Sequence, residues 1–498
     1  MNVNPITRLD YPDPDVIRVE DTYYMVSTTM HFMPGCEILQ SFDLVHWEHV
    51  TYVYETLDHT DAQQLKSGQN IYGQGMWAAS LRYHEGRFYI CFVANDTRKT
   101  YLYTSEKIDG PWKKQLIEGF YHDGSLLFDE DGRNYIVYGN DEIWITELNE
   151  DLTAPKKDGL HRLLVSDHKN PELGYEGAHI QKINGYYYIF LVHSLRDRWM
   201  RTEACFYSDS LEGEFTGGDV LCDDRGYCGQ GVAQGGIVDT PDGKWYAMLF
   251  QDSGAVGRIP ILLPVTWKDH FPVFGQNGHV PEEIEVHSTR PGYIYQPLVG
   301  SDDFCNGLLP RWQFNHDPDP RYYHLDALQG TYTITTREVC TELTQAVNTL
   351  TQRMSYPSCA AEVTVDASAL KEGDVAGLCA LQGCYAAVGI TKHHGKYEVL
   401  MLDKKEDGIL DMTERTVVES HQMDFRLEAD FCNMKDEARC YYRVNKGDWL
   451  PIGTVHKLYF KLDHFTGCRF GLFCYAAEET GGSACFRDFK YYDVDEIS

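Results

Sequence analysis

Along the first 250 residues, short runs of β-branched and aromatic side chains alternate with polar positions, and no long stretch keeps the 3.6-residue period of an amphipathic helix. Alternation of this kind marks strands with one buried face, so the chain reads as all-β. One unit recurs: an acidic residue or asparagine, then glycine, then at once an aromatic strand. It appears as Glu85-Gly86-Arg87-Phe88-Tyr89, Asp131-Gly132-Arg133-Asn134-Tyr135, Asn184-Gly185-Tyr186-Tyr187-Tyr188 and Asp242-Gly243-Lys244-Trp245-Tyr246, with a looser copy, Glu20-Asp21-Thr22-Tyr23-Tyr24, near the start. Asp-Gly and Asn-Gly pairs accept the positive φ of a hairpin turn. Measured from Asp21, successive copies lie 64, 46, 53 and 58 residues apart. Each interval has room for about four strands, which is one propeller blade. Five copies predict a five-bladed β-propeller.

The repeat stops after residue 250, and a segment punctuated by Pro264, Pro272, Pro281 and Pro291 follows. From Asp302-Asp303-Phe304 onward the texture becomes one of alternating strands, for example 360–365, 396–401 and 469–473. This predicts a propeller over 1–298 and a separate antiparallel β-sandwich over 302–498.

The charge balance narrows the partners. With 44 basic and 75 acidic residues the net charge is −31. Such a surface repels phosphate backbones and anionic lipid, which argues against nucleic acid and membrane partners, whereas an uncharged sugar is not repelled. The 15 cysteines are an odd number with no C-x-x-C pair, which speaks for reduced thiols and against structural zinc. The start of the chain, Met1 to Arg8, has neither a basic nor an apolar leader region, so a cytoplasmic location is expected. Nothing in the pattern fixes whether the chain forms a homo-oligomer.

Three acidic residues sit in distinctive settings. Asp13 lies between Pro12 and Pro14, which hold it on a rigid extended segment. Asp123, in His122-Asp123-Gly124-Ser125, opens the run Leu126-Leu127-Phe128, and Glu176, in Tyr175-Glu176-Gly177-Ala178-His179, opens the run before the Asn184-Gly185 hairpin. Each stands eight residues before the hairpin of its own repeat, at Asp21, Asp131 and Asn184. Equal offset in a radial repeat means equal radial position, so all three are expected on the innermost strands of blades one, three and four, facing the axis. Any one Asp-Gly is most often a turn aspartate. Three acids at one matched offset suit glycoside hydrolysis, in which one protonates the leaving oxygen, one activates water or attacks the sugar, and a third shifts the acid's pKa.

These residues resemble glycoside hydrolase family 43, and within it the β-xylosidase and α-L-arabinofuranosidase branch with a C-terminal sandwich. The resemblance rests on Pro12-Asp13-Pro14, Gly75-Met76-Trp77-Ala78, Glu176-Gly177-Ala178-His179, Gly257-Arg258-Ile259-Pro260 and, at the start of the second domain, Asp302-Asp303-Phe304 with Trp312-Gln313-Phe314. It implies Asp13 as general base, Glu176 as general acid and Asp123 as the residue that tunes the acid. It also implies inversion at the anomeric centre, with base and acid about 6.5–9.5 Å apart. Arg258 would bind sugar hydroxyls and Trp77 would wall the pocket. The run Met30-His31-Phe32-Met33-Pro34-Gly35 stands where the family lines its sugar pocket, which puts Met30 and Phe32 there too.

The chain departs from the family at three places. Asp15 replaces a common serine and adds charge near Asp13. The 30–35 run is less aromatic than usual. Ala233-Gln234-Gly235 stands where many members carry Gly-His-Gly with an axial histidine, so no metal and no cofactor is assigned. His31, His122 and His179 read as hydrogen-bonding residues more readily than as proton carriers. The resulting expectation is an inverting exo-glycosidase that releases terminal pentoses, a β-D-xylosidase on xylo-oligosaccharides with α-L-arabinofuranosidase activity, and a sandwich able to lend a loop to the pocket. The alternatives are a dedicated α-L-arabinofuranosidase and a non-catalytic carbohydrate-binding propeller.

Overall fold

The glycine-containing hairpins form as their residues dictate, though not all in one way. In blades two and four, Glu85-Gly86 and Asn184-Gly185 make two-residue turns with both φ values positive, and His84↔Arg87 and Ile183↔Tyr186 close the ladders. In blades three and five the turns are longer, between Phe128↔Asn134 and Asp239↔Trp245. The computed structural model describes residues 3–493. The first two residues of the N-terminal stretch and residues 494–498 of the expected sandwich lie outside the described residues.

Five four-stranded antiparallel sheets make the propeller. Their innermost strands are Asp15–Val19, Met76–His84, Ser125–Phe128, Glu176–Ile183 and Val232–Asp239. These neighbour one another in a ring, the first against the last. The N-terminal segment ties the ring shut along the third strand of blade five, Arg258–Lys268: the Asn4 side chain donates to Leu262 O (2.7 Å), Ile6 N–H to Pro260 O (2.8 Å) and Tyr11 N–H to Arg258 O (3.1 Å). Arg18 and Asp239 add an ion pair across the same seam.

Beyond residue 300 two antiparallel sheets of eight and seven strands pack face to face around a large apolar core that includes Trp312, Leu378, Phe425 and Phe486. The eight-stranded sheet takes an edge strand from the propeller, Phe32–Met33, which pairs with Gln313–Asn315. The two parts therefore share hydrogen-bonded backbone. Buried charge follows the same seam: Arg353 donates to Glu37 (2.8 Å) and to Asp10 O (2.9 Å) and lies over the Tyr11 ring at 4.0 Å.

Candidate active site

The acids are brought together at one mouth of the axial channel. Asp13 and Asp123 do not lie on the innermost strands, as their spacing suggests. Each stands two residues before its strand, with left-handed backbone at φ 53° and 48°. A residue with positive φ leaves the ladder, so pairing begins only at Asp15↔Val26 and Ser125↔Val137. Glu176 does open its strand, followed at once by Gly177 at φ 65° and a break in register before His179. The same eight-residue offset picks out Trp77 before Glu85 and Gln234 before Asp242, each inside a register break of its own blade. Each blade thus presents one residue at the mouth: Asp13, Trp77, Asp123, Glu176 and Gln234. A Cβ on Gly177 would meet the Gln234 side chain at 2.7 Å, so glycine there lets blades four and five close on each other.

Asp13 is held from two sides. Thr28 Oγ1 donates to one carboxylate oxygen (2.6 Å) and Arg258 to the other (3.1 Å). Arg258 is itself buried, with its backbone N–H on Asp10 (2.8 Å) and its guanidinium against the Phe465 ring at 4.2 Å. Phe465 belongs to the sandwich and also faces Trp77, with ring centroids 5.5 Å apart.

Across the mouth, Glu176 Oε2 accepts from Asn140 (2.6 Å) and lies 3.4 Å from His122 Nε2, while Asp123 accepts the Gly177 N–H (3.0 Å) and lies 3.5 Å from the same nitrogen. Burial pushes the Asp123 carboxyl up to about 6; the charges of Glu176 and Asp13 add to this, against the pull of His122. Burial disfavours charge on His122, but the carboxylates of Asp123, Glu176 and Asp13 outweigh it and raise the imidazole to about 9. His122, Asp123 and Glu176 are spaced closely enough to hold a cation. The same three carboxylates that raise His122 favour a proton on its imidazole, and a cation bound there would compete with that proton.

A second buried network lies behind the mouth. Asp15 accepts from Arg82 (2.8 Å) and the Leu81 N–H (2.7 Å) and meets His179 Nδ1 at 3.0 Å. Arg82 also donates to Ser125 Oγ (2.7 Å), Leu126 O (2.8 Å) and Ile180 O (3.2 Å), so one guanidinium straps together blades one to four. The extra charge of Asp15 is neutralised there. Burial alone would raise its carboxyl, yet Arg82 and His179 hold it below the usual carboxylate range.

Two residues expected in the sugar pocket, Phe32 and Met30, are both buried. Phe32 is buried in the strand shared with the sandwich, with Arg469 stacked over its ring at 3.4 Å, and Met30 is buried with its backbone bridged to Met76. Met30 pairs beside Trp77, while Phe32 and Met33 complete the edge of the sandwich sheet. Conversely, Asn140, Phe465 and Arg82 join the site or its support without any local motif. Asn140 ends an ordinary strand, Asn134–Asn140, and Phe465 reaches the pocket only because the sandwich docks.

Residues 3–272 match the family model for glycosyl hydrolases family 43, and residues 301–492 match the beta xylosidase C-terminal concanavalin A-like domain. A beta-xylosidase of Formosa agariphila is 27% identical over 99% of this chain and 89% of its own length. A xylosidase/arabinosidase of Butyrivibrio fibrisolvens is 23% identical over 99% of both. A solved bifunctional GH43-CE protein of Bacteroides eggerthii superposes with a TM-score of 0.92 at 42% identity over 98% of this chain, which spans 63% of the length of that one.

Proposed function

The chain belongs to glycosyl hydrolases family 43, and on that footing we propose that it is an inverting exo-pentosidase that removes terminal β-D-xylose from xylo-oligosaccharides and accepts α-L-arabinofuranosides as well. The observation that carries this reading is the opposition, around one mouth, of Asp13 oriented by Arg258 and Thr28 and Glu176 oriented by Asn140 and His122. The names of the relatives, xylosidase and xylosidase/arabinosidase, support the sugar class.

In this mechanism Glu176 is the general acid. Its Oε2 is engaged by Asn140 and His122, so the proton it delivers is carried on Oε1. That proton passes to the glycosidic oxygen as the bond to the anomeric carbon breaks. Water attacks the opposite face of the sugar and gives its proton to Asp13, the general base, so the pentose leaves with inverted configuration. Asp123 and His122 set the electrostatic balance around the acid. Arg258 aligns the base, and its donors reach sugar hydroxyls. Trp77 and Phe465 offer apolar walls to the ring. The free thiols support action in a reducing compartment on imported oligosaccharides.

The test is hydrolysis of 4-nitrophenyl β-D-xylopyranoside, 4-nitrophenyl α-L-arabinofuranoside and xylobiose by the wild type and by Glu176→Ala. Nitrophenol leaves with little protonation, so the variant should keep partial activity on the aryl glycosides and lose about 10²–10⁴-fold on xylobiose. Cleavage of the arabinoside alone would make the enzyme an arabinofuranosidase. If the wild type cleaves none of the three, the pentosidase reading fails.

A further inference from the structure

From Trp77 at the mouth outward to solvent runs an unbroken series of rings and guanidinium groups. Trp77 faces Phe465, and Phe465 covers Arg258. Arg258 lies 5.5 Å from the Phe250 ring, whose neighbour is Arg201 at 5.2 Å, and Arg201 in turn lies 5.3 Å from the indole of Trp199. The series ends at Trp199 in solvent, where the residue is 46% exposed. Every other member is buried or half-buried.

The outer pair is built to stay in place. The side chain of Arg201 is only 7% exposed and donates to Asp252 at 2.8 Å. Burial works against its charge, and the carboxylates of Asp252, Glu176 and Asp13 more than offset it, so the guanidinium lies within electrostatic reach of both reacting acids. Trp199 sits just outside it, on the turn that links two strands of blade four, Tyr186–Ser194 and Arg201–Ser208. That turn is pinned by Ser194 Oγ on Arg198 O (3.1 Å), by Met200 N–H on Ser194 Oγ (2.8 Å), by Arg196 on Asp167 O (2.7 Å) and by Asn170 on Ser194 O (2.8 Å).

Blade four also carries Glu176. The acid must face the leaving-group oxygen, so the departing part of the substrate leaves the pocket on the side of that blade. An indole left half in solvent on a rigid turn, with one face on a guanidinium, offers the flat apolar area that suits the C–H face of a sugar ring.

We propose that Trp199, backed by Arg201, is the platform for the sugar on the leaving-group side of the scissile bond, which makes oligosaccharides rather than small aglycones the natural substrates of this site. This rests on the pentosidase reading above. The platform acts on the leaving sugar alone and leaves the terminal pentose untouched.

The experiment compares an oligosaccharide with a substrate that has no leaving sugar. Hydrolysis of xylotriose, or of the arabinose-bearing oligosaccharide if arabinose is what the wild type releases, is measured beside that of the corresponding pentosyl fluoride. For Trp199→Ala, kcat/KM on the oligosaccharide should fall about tenfold, the equivalent of one ring-stacking contact, with KM carrying most of the change. The rate on the fluoride should stay within about twofold, and Trp199→Phe should restore most of the loss. An equal fall on both substrates, or none on either, overturns the platform while leaving the pentosidase reading intact. A wild type inactive on both overturns that reading and the platform with it.

Discussion

At the level of single residues, the two opposed carboxylates should answer differently to the leaving group. An activated phenol relieves the need for an acid but not for a base. Asp13→Asn should therefore lose about 10²–10⁴-fold on 4-nitrophenyl xyloside and xylobiose alike, where Glu176→Ala spares the aryl substrate. Steady-state rates on the two substrates check this, and selective loss on xylobiose in the Asp13 variant would exchange the roles. The His122–Asp123 pair makes a second claim. Both groups bind protons more tightly when folded, at about 9 against 6.5 and about 6 against 3.8. Stability from a raised group is complete below its unfolded value and is lost as pH rises through the folded one. For His122 that window runs from 6.5 to about 9. The thermal midpoint of the wild type should fall across it, and fall less in His122→Asn/Asp123→Asn, which scanning calorimetry would record. Of these residues, the three acids were legible because each has a local motif at a fixed offset. Asn140 was not, since an asparagine at the end of a strand is common and only its place beside Glu176 gives it meaning.

At the level of the strand and the blade, the hairpin repeat announced five sheets, because turn chemistry and aromatic alternation are local properties that survive without knowledge of the rest. What the repeat could not announce is how the blades are fastened at the axis. Arg82 lies on a strand with no distinguishing pattern, yet it holds Asp15, Ser125, Leu126 and Ile180 at once. The Arg82–Asp15 pair is nearly inaccessible, at 13% and 1% side-chain exposure. Removing one partner from a buried pair leaves the other charge stranded, at a cost of about 3–5 kcal/mol. Arg82→Met should lose about that much in urea unfolding. Asp15→Asn placed on top should return part of it, since the stranded charge is then gone. If the double variant is no more stable than the single one, the strap works through shape and not through charge.

For the molecule as a whole, the sandwich is fastened to the propeller beside the candidate site, where Phe465 covers Arg258 and faces Trp77, and through the strand that Phe32 and Met33 lend to its sheet. That sharing is not legible locally, because only docking of the second domain gives Phe32 and Met33 a partner strand. Beside the direct contact of Phe465 with Arg258, one carboxylate makes a second link between the domains. Asp10 accepts the backbone N–H of Arg258 at 2.8 Å and that of Gly467 at 2.7 Å, so it joins the residue that aligns the base to the loop that carries Phe465. The fit is close: a Cβ on Gly467 would lie 2.2 Å from Val256 O and 2.7 Å from the Asp10 Cβ. Gly467→Ala must therefore push the loop outward, and Asp10→Asn must turn an amide N–H toward one of the two donors, leaving it unpaired at a cost of about 1–3 kcal/mol. Both changes should loosen Phe465 from Arg258 by different routes. The expected outcome for each is a severalfold rise in the inhibition constant of the free pentose, measured against aryl glycoside hydrolysis, in protein that still unfolds in one cooperative transition. Unchanged affinity in both variants would mean that the sandwich loop shelters the pocket without shaping it.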